Sequence, residues 1–302
     1  MSFAASSPSL PVRTKGTLPI DVSVSRFHGL GNVFCLLPVL DRLRALGQAV
    51  HVATRPEWLP VFQTIRPQFH WDSQPRDGTI DLDQLTADLA PAEHRTDEFG
   101  RLLAVLGPFP TLRLRTPAAW RGPVEHLRGC LVFAPEGGHP SRTWPDHLAR
   151  RFAQRLADHR LVLVGATTQP PLPAATDLRN RTQLHELIGI LALAAVVVTM
   201  DSAVLHVAAA LGTPTVALFG GIDPAFRLRR DQRVVVLQAN LPCCPCNKNE
   251  SCPSSPDPFP CMAALAPADV AAALDLARSA DRRIIVRLPA PSPQTQAACS
   301  AS

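Results

Sequence analysis

A chain of 302 residues with 46% hydrophobic and 18% charged residues can bury a sizeable core, and it is long enough for two α/β domains. Its net charge of +5 is carried without any Lys/Arg run, which argues against nucleic acid and suits an anionic small molecule or an anionic membrane surface. The first residues, MSFAASSPSLPVRTKGTLP, lack the continuous apolar region of a signal peptide, and LIGILALAAVVVTM (187–200) is too short to span a bilayer. The expectation is a cytoplasmic protein whose eight cysteines are thiols or metal ligands rather than disulfides.

Residues 1–17 are Ser/Pro-rich and read as loose. Strand-like runs follow at 20–27 and 48–54, separated by a helix pattern over 33–46. TIDLDQL (79–85) is a weaker strand. TDEFGRLLAVLG (96–107) reads as a helix closed by Gly107, and TLRLRT (111–116) alternates like a strand. WRGPVEHLRG (120–129) looks like a link between domains. Beyond it the alternation restarts: strands at 130–135, 160–166, 195–200, 213–220 and 232–238, with helices at 144–158, 183–194, 203–212 and about 267–280. Strands alternating with helices imply parallel sheets. Two such series predict an α/β fold of two Rossmann-like domains facing across a cleft. The expected division is 18–122, then 123–280 including a Cys/Pro-rich loop at 241–261, then a tail from 281 to 302.

Two stretches carry chemistry. In SRFHGLGNVFCLLPVLDRLRALG (25–47) a strand-like run meets a double-glycine turn and then a helix. Gly29 and Gly31 start a G-x-G-x-x-G pattern, but its third position is Phe34, so the dinucleotide fingerprint fails. In MDSAVLHVAAALGTPTVALFGGIDP (200–224) a buried strand ends at Met200 and a helix begins. Ser202 or Asp201 can cap that helix, and His206 lies about a turn in. A helix start of this kind offers free N–H groups and the positive end of a dipole to a phosphate.

The second stretch resembles glycosyltransferase family 9, the ADP-heptose:lipopolysaccharide heptosyltransferases. Their donor domain carries D-[ST]-G-x-x-H-x-A-A-A-L-G-x-P-x-x-x-L-F-G-x-x-x-P. Asp201, Ser202, His206, Ala208 to Gly212, Pro214, Leu218 to Gly220 and Pro224 match, and Ala203 stands where the family has glycine. APEGGHPSRTWP (134–145), with Gly137 and Gly138, resembles the family's P-G-x…S-K-x-W-P loop. Arg142 replaces the lysine that meets the donor phosphates, keeping the charge and adding a fork suited to phosphate. NRTQLHELIGILALAAVVVTMD resembles the T-S-L-x-E-L segment, which places Thr182 and Leu184 beside the nucleoside. The likeness runs from about Ile20 to Ala280 and implies a GT-B type fold: donor on the C-terminal domain, acceptor on the N-terminal one, and inverting transfer with no catalytic cofactor.

The resemblance also gives the opening turn a purpose, since in the family it faces the transfer point. There the heptosyltransferases place an Asp thought to act as general base. Asn32 occupies that place and cannot take a proton. Either Asn32 orients sugars while His28 accepts the proton, or acceptor or phosphate assists, or the chain binds a nucleotide sugar without transfer. The N-terminal domain has little room for the elements that shape a lipid A–core site, which points to an acceptor other than a lipopolysaccharide core, such as a protein or another glycan, with lipopolysaccharide still among the expected acceptors. A cytoplasmic site, with room for peripheral contact at the inner membrane, is the expected location.

Cys243, Cys246, Cys252 and Cys261 crowd a Pro-rich loop with Cys244 beside them. That spacing fits a tetrahedral structural zinc or iron site, and some family members carry metal there. A scaffold that binds nucleotide sugar without turnover is the rival reading. A nucleotide-sugar epimerase or synthase would need cleft carboxylates that the sequence does not place.

Overall fold

The structure, a computed structural model, describes residues 19–24, 29–86, 92–156, 159–166, 170, 172, 176–247, 252 and 259–289. The N-terminal half comprises strand β1 (Ile20–Ser23), helix α1 (Gly31–Ala45), β2 (Val50–Ala53), α2 (Leu59–Ile65), β3 (His70–Asp72), β4 (Ile80–Asp81), α3 (Leu82–Thr86) and α4 (Arg95–Leu102). Its four strands are parallel in the order β3-β2-β1-β4. The C-terminal half follows a short helix α5 (Ala118–Arg121). It contains β5 (Leu131–Ala134), α6 (Asp146–Arg155), β6 (Leu161–Leu163), β7 (Thr176–Asp177), α7 (Leu184–Leu193), β8 (Val196–Met200), α8 (Ala203–Leu211), β9 (Thr215–Phe219), β10 (Val234–Asn240), α9 (Pro260–Ala263), α10 (Pro267–Ser279) and β11 (Ile284–Pro289). Its seven strands are parallel in the order β11-β10-β9-β8-β5-β6-β7. Two parallel sheets flanked by helices are the α/β architecture that the alternation predicts.

The central strands β5, β8 and β9 are buried at every position, as expected of parallel strands covered on both faces. One apolar cluster joins α1, α4, β1 and β2 to Val204, Val207, Ala208 and Ala210 of α8. The other face of the larger sheet packs on α6 and α10. Helix α1 lies between the halves, packing on both α4 and α8, and Val33 to Leu40 are all buried. Gly212 closes α8 at φ 74°, a left-handed position that favours glycine.

Several elements depart from the sequence reading. TLRLRT forms no strand: it runs as an extended strap whose Leu114 N–H donates to Ala210 O at 2.9 Å. Its alternation reflects leucines turned to the body and arginines turned to water, with no neighbouring strand to pair. Helix α4 ends at Leu102 rather than at Gly107, and Ala104 takes φ 53° where the chain turns. The link at 120–129 is helical, with α5 continuing into a 3₁₀ turn at Gly122–Leu127 that packs on α7. Strand β11 pairs with β10 in the stretch read as tail. Among the described residues no helix is long and apolar enough to cross a membrane.

Candidate active site

The site gathers at the carboxyl ends of β5 and β8, where open α/β sheets bind ligands. After β8 comes Asp201, only 2% exposed, and Arg227 Nε donates to its Oδ2 at 3.3 Å. Burial alone would raise this carboxyl, but Arg227, then Arg142, hold it below the ordinary carboxylate value. Asp201 is therefore an anion already committed to arginine. Ser202 occupies the N-cap position of α8, but its hydroxyl lies 3.1 Å from Thr199 Oγ1 and makes no capping bond. The sequence expects Ser202 or Asp201 to cap the helix. In fact α8 starts without a side-chain cap, so its first N–H groups stay available to an anion. Ala203 is the first helical residue and needs no positive φ, so the loss of the family glycine costs nothing in backbone geometry.

The loop after β5 is pressed onto this point. A Cβ on Gly137 would stand 2.8 Å from Arg142 Cβ and 3.1 Å from Asp201 O, so only glycine lets the loop close on β8. Gly138 takes φ 77°. His139 Nδ1 accepts from the Ser141 N–H at 3.2 Å, which fixes the 3₁₀ turn at Pro140–Arg142. Arg142 is thereby held beside Asp201, yet its buried Nε has no hydrogen-bond partner among the described residues. On its other flank the loop is tied by Arg179, which pairs with Asp177 at 2.7 Å and Glu136 at 3.4 Å. Thr182 precedes a capping box in which Glu186 accepts from the Gln183 N–H at 2.8 Å, setting the start of α7.

On the facing side, Gly29 is exposed and Gly31 begins α1, two residues earlier than the sequence pattern suggests. Asn32 lies in the first turn of α1, partly exposed, its N–H donating to Gly29 O at 3.1 Å. His28 lies outside the described residues. His206, read from sequence beside the donor-phosphate helix start, packs its ring against Gly31, and its Nδ1 is 3.7 Å from Cys35 Sγ. Burial first, then Arg227 and Arg142, push this imidazole down to about 4, so it is neutral at physiological pH. His94 caps α4 by accepting from the Thr96 N–H, and burial and Arg229 push it to about 3. A small cavity between the halves is lined by Cys35, His94, Thr96, His206, Arg227 and Arg229.

The structure thus brings Gly137, Arg142 and Asp201 together, and Gly31 with His206. Sequence reasoning missed Arg227. Its only signal was a cation three residues past Pro224 in a motif whose aspartate needs a partner.

The cysteine loop is nearer than its place in sequence suggests. Cys244 Sγ donates to Gly220 O at 3.2 Å. A Cβ on Gly220 would be 3.4 Å from Cys261 Sγ and 2.7 Å from Ser141 O, so the loop backs directly onto the Arg142 turn. Trp144 Nε1 reinforces this by donating to Leu265 O at 3.0 Å. Burial, then the thiols of Cys244, Cys246 and Cys252, raise the Cys261 thiol to about 12. Cys243, part of the expected quartet, lies close enough to Cys244 to raise its thiol as well. Among the described residues no three or more His, Cys, Asp or Glu side chains are placed to hold a metal ion.

Residues 111–255 match the family model "Glycosyltransferase family 9 (heptosyltransferase)". This segment belongs to glycosyltransferase family 9. It holds Gly137, Arg142, Asp201 and His206, so the family match and the site coincide. Among curated proteins, lipopolysaccharide heptosyltransferase 2 of Escherichia coli is 31% identical over 102 residues, 29% of each chain. Lipopolysaccharide heptosyltransferase 1 of Pseudomonas aeruginosa is 29% identical over 133 residues, 39% of this chain and 36% of its own. The matched stretches thus span about a third of these relatives' length. The family 9 fold extends much further. A family 9 glycosyl transferase from Veillonella parvula superposes with TM-score 0.63 at 14% identity, over 88% of this chain and 99% of its own. TibC, an iron-containing dodecameric glycosyltransferase of enterotoxigenic E. coli, gives 0.68 at 15% identity, over 87% and 78%. E. coli heptosyltransferase II gives 0.58 at 15% identity, over 86% and 98%. The architecture is accordingly of GT-B type.

Proposed function

We propose that the protein is an inverting glycosyltransferase that moves a sugar, heptose from ADP-heptose, onto a lipopolysaccharide, another glycan or a protein acceptor. The observation that carries this reading is Arg142: a cation on a turn fixed by His139, with a buried Nε that finds no partner among the described residues, beside the start of α8, where Ser202 makes no side-chain cap. A diphosphate is the ligand that both features suit. The guanidinium offers charge-assisted hydrogen bonds, and the helix start adds N–H donors and a positive dipole end. As the glycosidic bond to the donor breaks, negative charge grows on the leaving diphosphate, and these groups stabilise it without reorganising. No catalytic cofactor enters. The names of the similar proteins agree, since TibC has been solved with ADP-D-β-D-heptose. On the facing side Asn32 orients the sugars and His28 takes the acceptor proton.

The cysteine loop is part of the proposal. An all-thiolate set of Cys246, Cys252 and Cys261, with Cys243 or Cys244 as the fourth, suits a structural zinc or iron ion. The thiols of Cys244, Cys246 and Cys252 lie near enough to Cys261 to raise it, so these cysteines share one neighbourhood. A bound ion would brace the loop behind the Arg142 turn.

A thermal-shift panel of nucleotide sugars tests the donor assignment, because a ligand specific to the folded form raises its melting temperature. ADP and ADP-sugars should stabilise the protein more than UDP- or GDP-sugars. No shift with any nucleoside diphosphate would remove the reading.

A further inference from the structure

The first residue of α1 has no room for a side chain. A Cβ on Gly31 would stand 2.6 Å from Cδ2 and 3.2 Å from Nε2 of His206. The imidazole, carried by the donor-side helix α8, fills the notch that the missing side chain leaves on the acceptor-side helix. One turn along α1, Cys35 Sγ meets the ring's Nδ1 at 3.7 Å. The Cys35 carbonyl accepts from Thr96 Oγ1 at 2.8 Å, which ties the socket to the start of α4. Asn32 follows Gly31 directly, and Ser202, at the start of α8, lies one turn before His206. A single ring therefore links the turn that carries Asn32 to the helix start that faces the donor.

We propose that His206 is a positioning residue: seated in the Gly31 notch, it fixes the register between the acceptor-side turn and the donor phosphate site. The second glycine of the G-x-G-N turn is then a socket for a donor-side histidine rather than a phosphate loop. The role rests on the reading of the cleft as a sugar-transfer site, whereas the register itself does not. A ring that merely filled core volume would lower stability throughout the molecule when removed. A register pin loosens one place and separates binding from turnover.

The test is hydrogen–deuterium exchange of the full chain, with ADP calorimetry and turnover on the same samples. His206→Ala and Gly31→Ala should each speed exchange of the 29–36 peptide about fivefold or more, leaving α6 and α10 unchanged. ADP affinity should stay within about twofold while turnover at saturating donor falls about tenfold. The double variant should exchange no faster than either single one, because both break the same contact. His206→Gln, which keeps much of the volume, gives an intermediate loss and serves if the alanine variants fold poorly. Unchanged exchange at 29–36 in His206→Ala and His206→Gln overturns the proposal, as does a uniform rise across the chain. A wild-type protein that binds no ADP overturns the glycosyltransferase reading instead, and exchange still decides the register.

Discussion

Arg142 is a cation without an ion-pair partner among the described residues, next to an aspartate that Arg227 already neutralises. Replacing it with alanine should weaken ADP binding by about 1.5–3 kcal/mol, the scale of a charge-assisted hydrogen bond. Unchanged affinity by calorimetry would assign the phosphates elsewhere. Asn32 has no group that titrates near neutral pH, so Asn32→Ala should lower turnover and leave the pH profile in place, whereas His28→Ala should remove a limb near pH 6.5. Full rate and an unaltered profile in His28→Ala would exclude it as proton acceptor. Two partly buried histidines predict a second pH effect. His206 and His94 sit at about 4 and about 3, both below the usual 6.5. The unfolded chain takes up protons that the folded one refuses. Stability is therefore complete above pH 6.5 and falls on acidification, each group adding a slope of up to about 1.4 kcal/mol per pH unit. Melting temperatures from pH 7.5 downward should fall, and His94→Gln should flatten part of that fall. An identical fall in the variant would contradict it.

At the level of elements, what the sequence reveals depends on how local the cause is. The start of α8 is legible because a buried strand, a polar pair and an apolar helix follow one another within a few residues. The Gly137 loop is legible because glycine, arginine and Trp144-Pro145 share one segment. The His206–Gly31 contact is not, because it joins residues far apart in the chain: Gly31 alone reads as half of a turn, and His206 alone as part of a phosphate-facing helix start. Arg227 escaped for the same reason. TLRLRT misled because alternation records which face meets water, and says nothing about whether a partner strand exists. Strand β11 hid in a stretch bounded by Pro289, although Ile284 to Leu288 alternate inward and outward. The cysteine loop was legible as a cluster but not as the buttress of the Arg142 turn, which depends on Gly220, Ser141 and Trp144 in space. Protein purified without added metal should carry about one equivalent of zinc or iron. Removing it should weaken ADP binding through the loosened loop. Well below one equivalent, with all thiols freely titratable, would leave an ordinary loop.

At the scale of the molecule, the two halves are fastened by apolar packing between α1 and α8 and by polar ties at the edge. Arg229 binds Asp97 through two hydrogen bonds of 2.7 and 2.8 Å, and Asp231 receives both Thr111 and Arg113. These groups are partly exposed, so each tie contributes little stability alone and less at high salt. Asp97→Asn should therefore leave the melting temperature nearly unchanged. Its effect should appear in turnover if the arrangement of the halves limits transfer. Transfer as proposed needs that arrangement as a whole: a donor site on one half, a turn on the other, and a sugar passing between them. Incubation of the full chain with ADP-heptose and a lipopolysaccharide-core acceptor, followed by measurement of ADP release, tests it most directly. ADP release should depend on the acceptor, and Arg142→Ala should abolish it. ADP-heptose that binds tightly but stays intact with lipid, glycan and protein acceptors would contradict it and make this chain a nucleotide-sugar-binding protein.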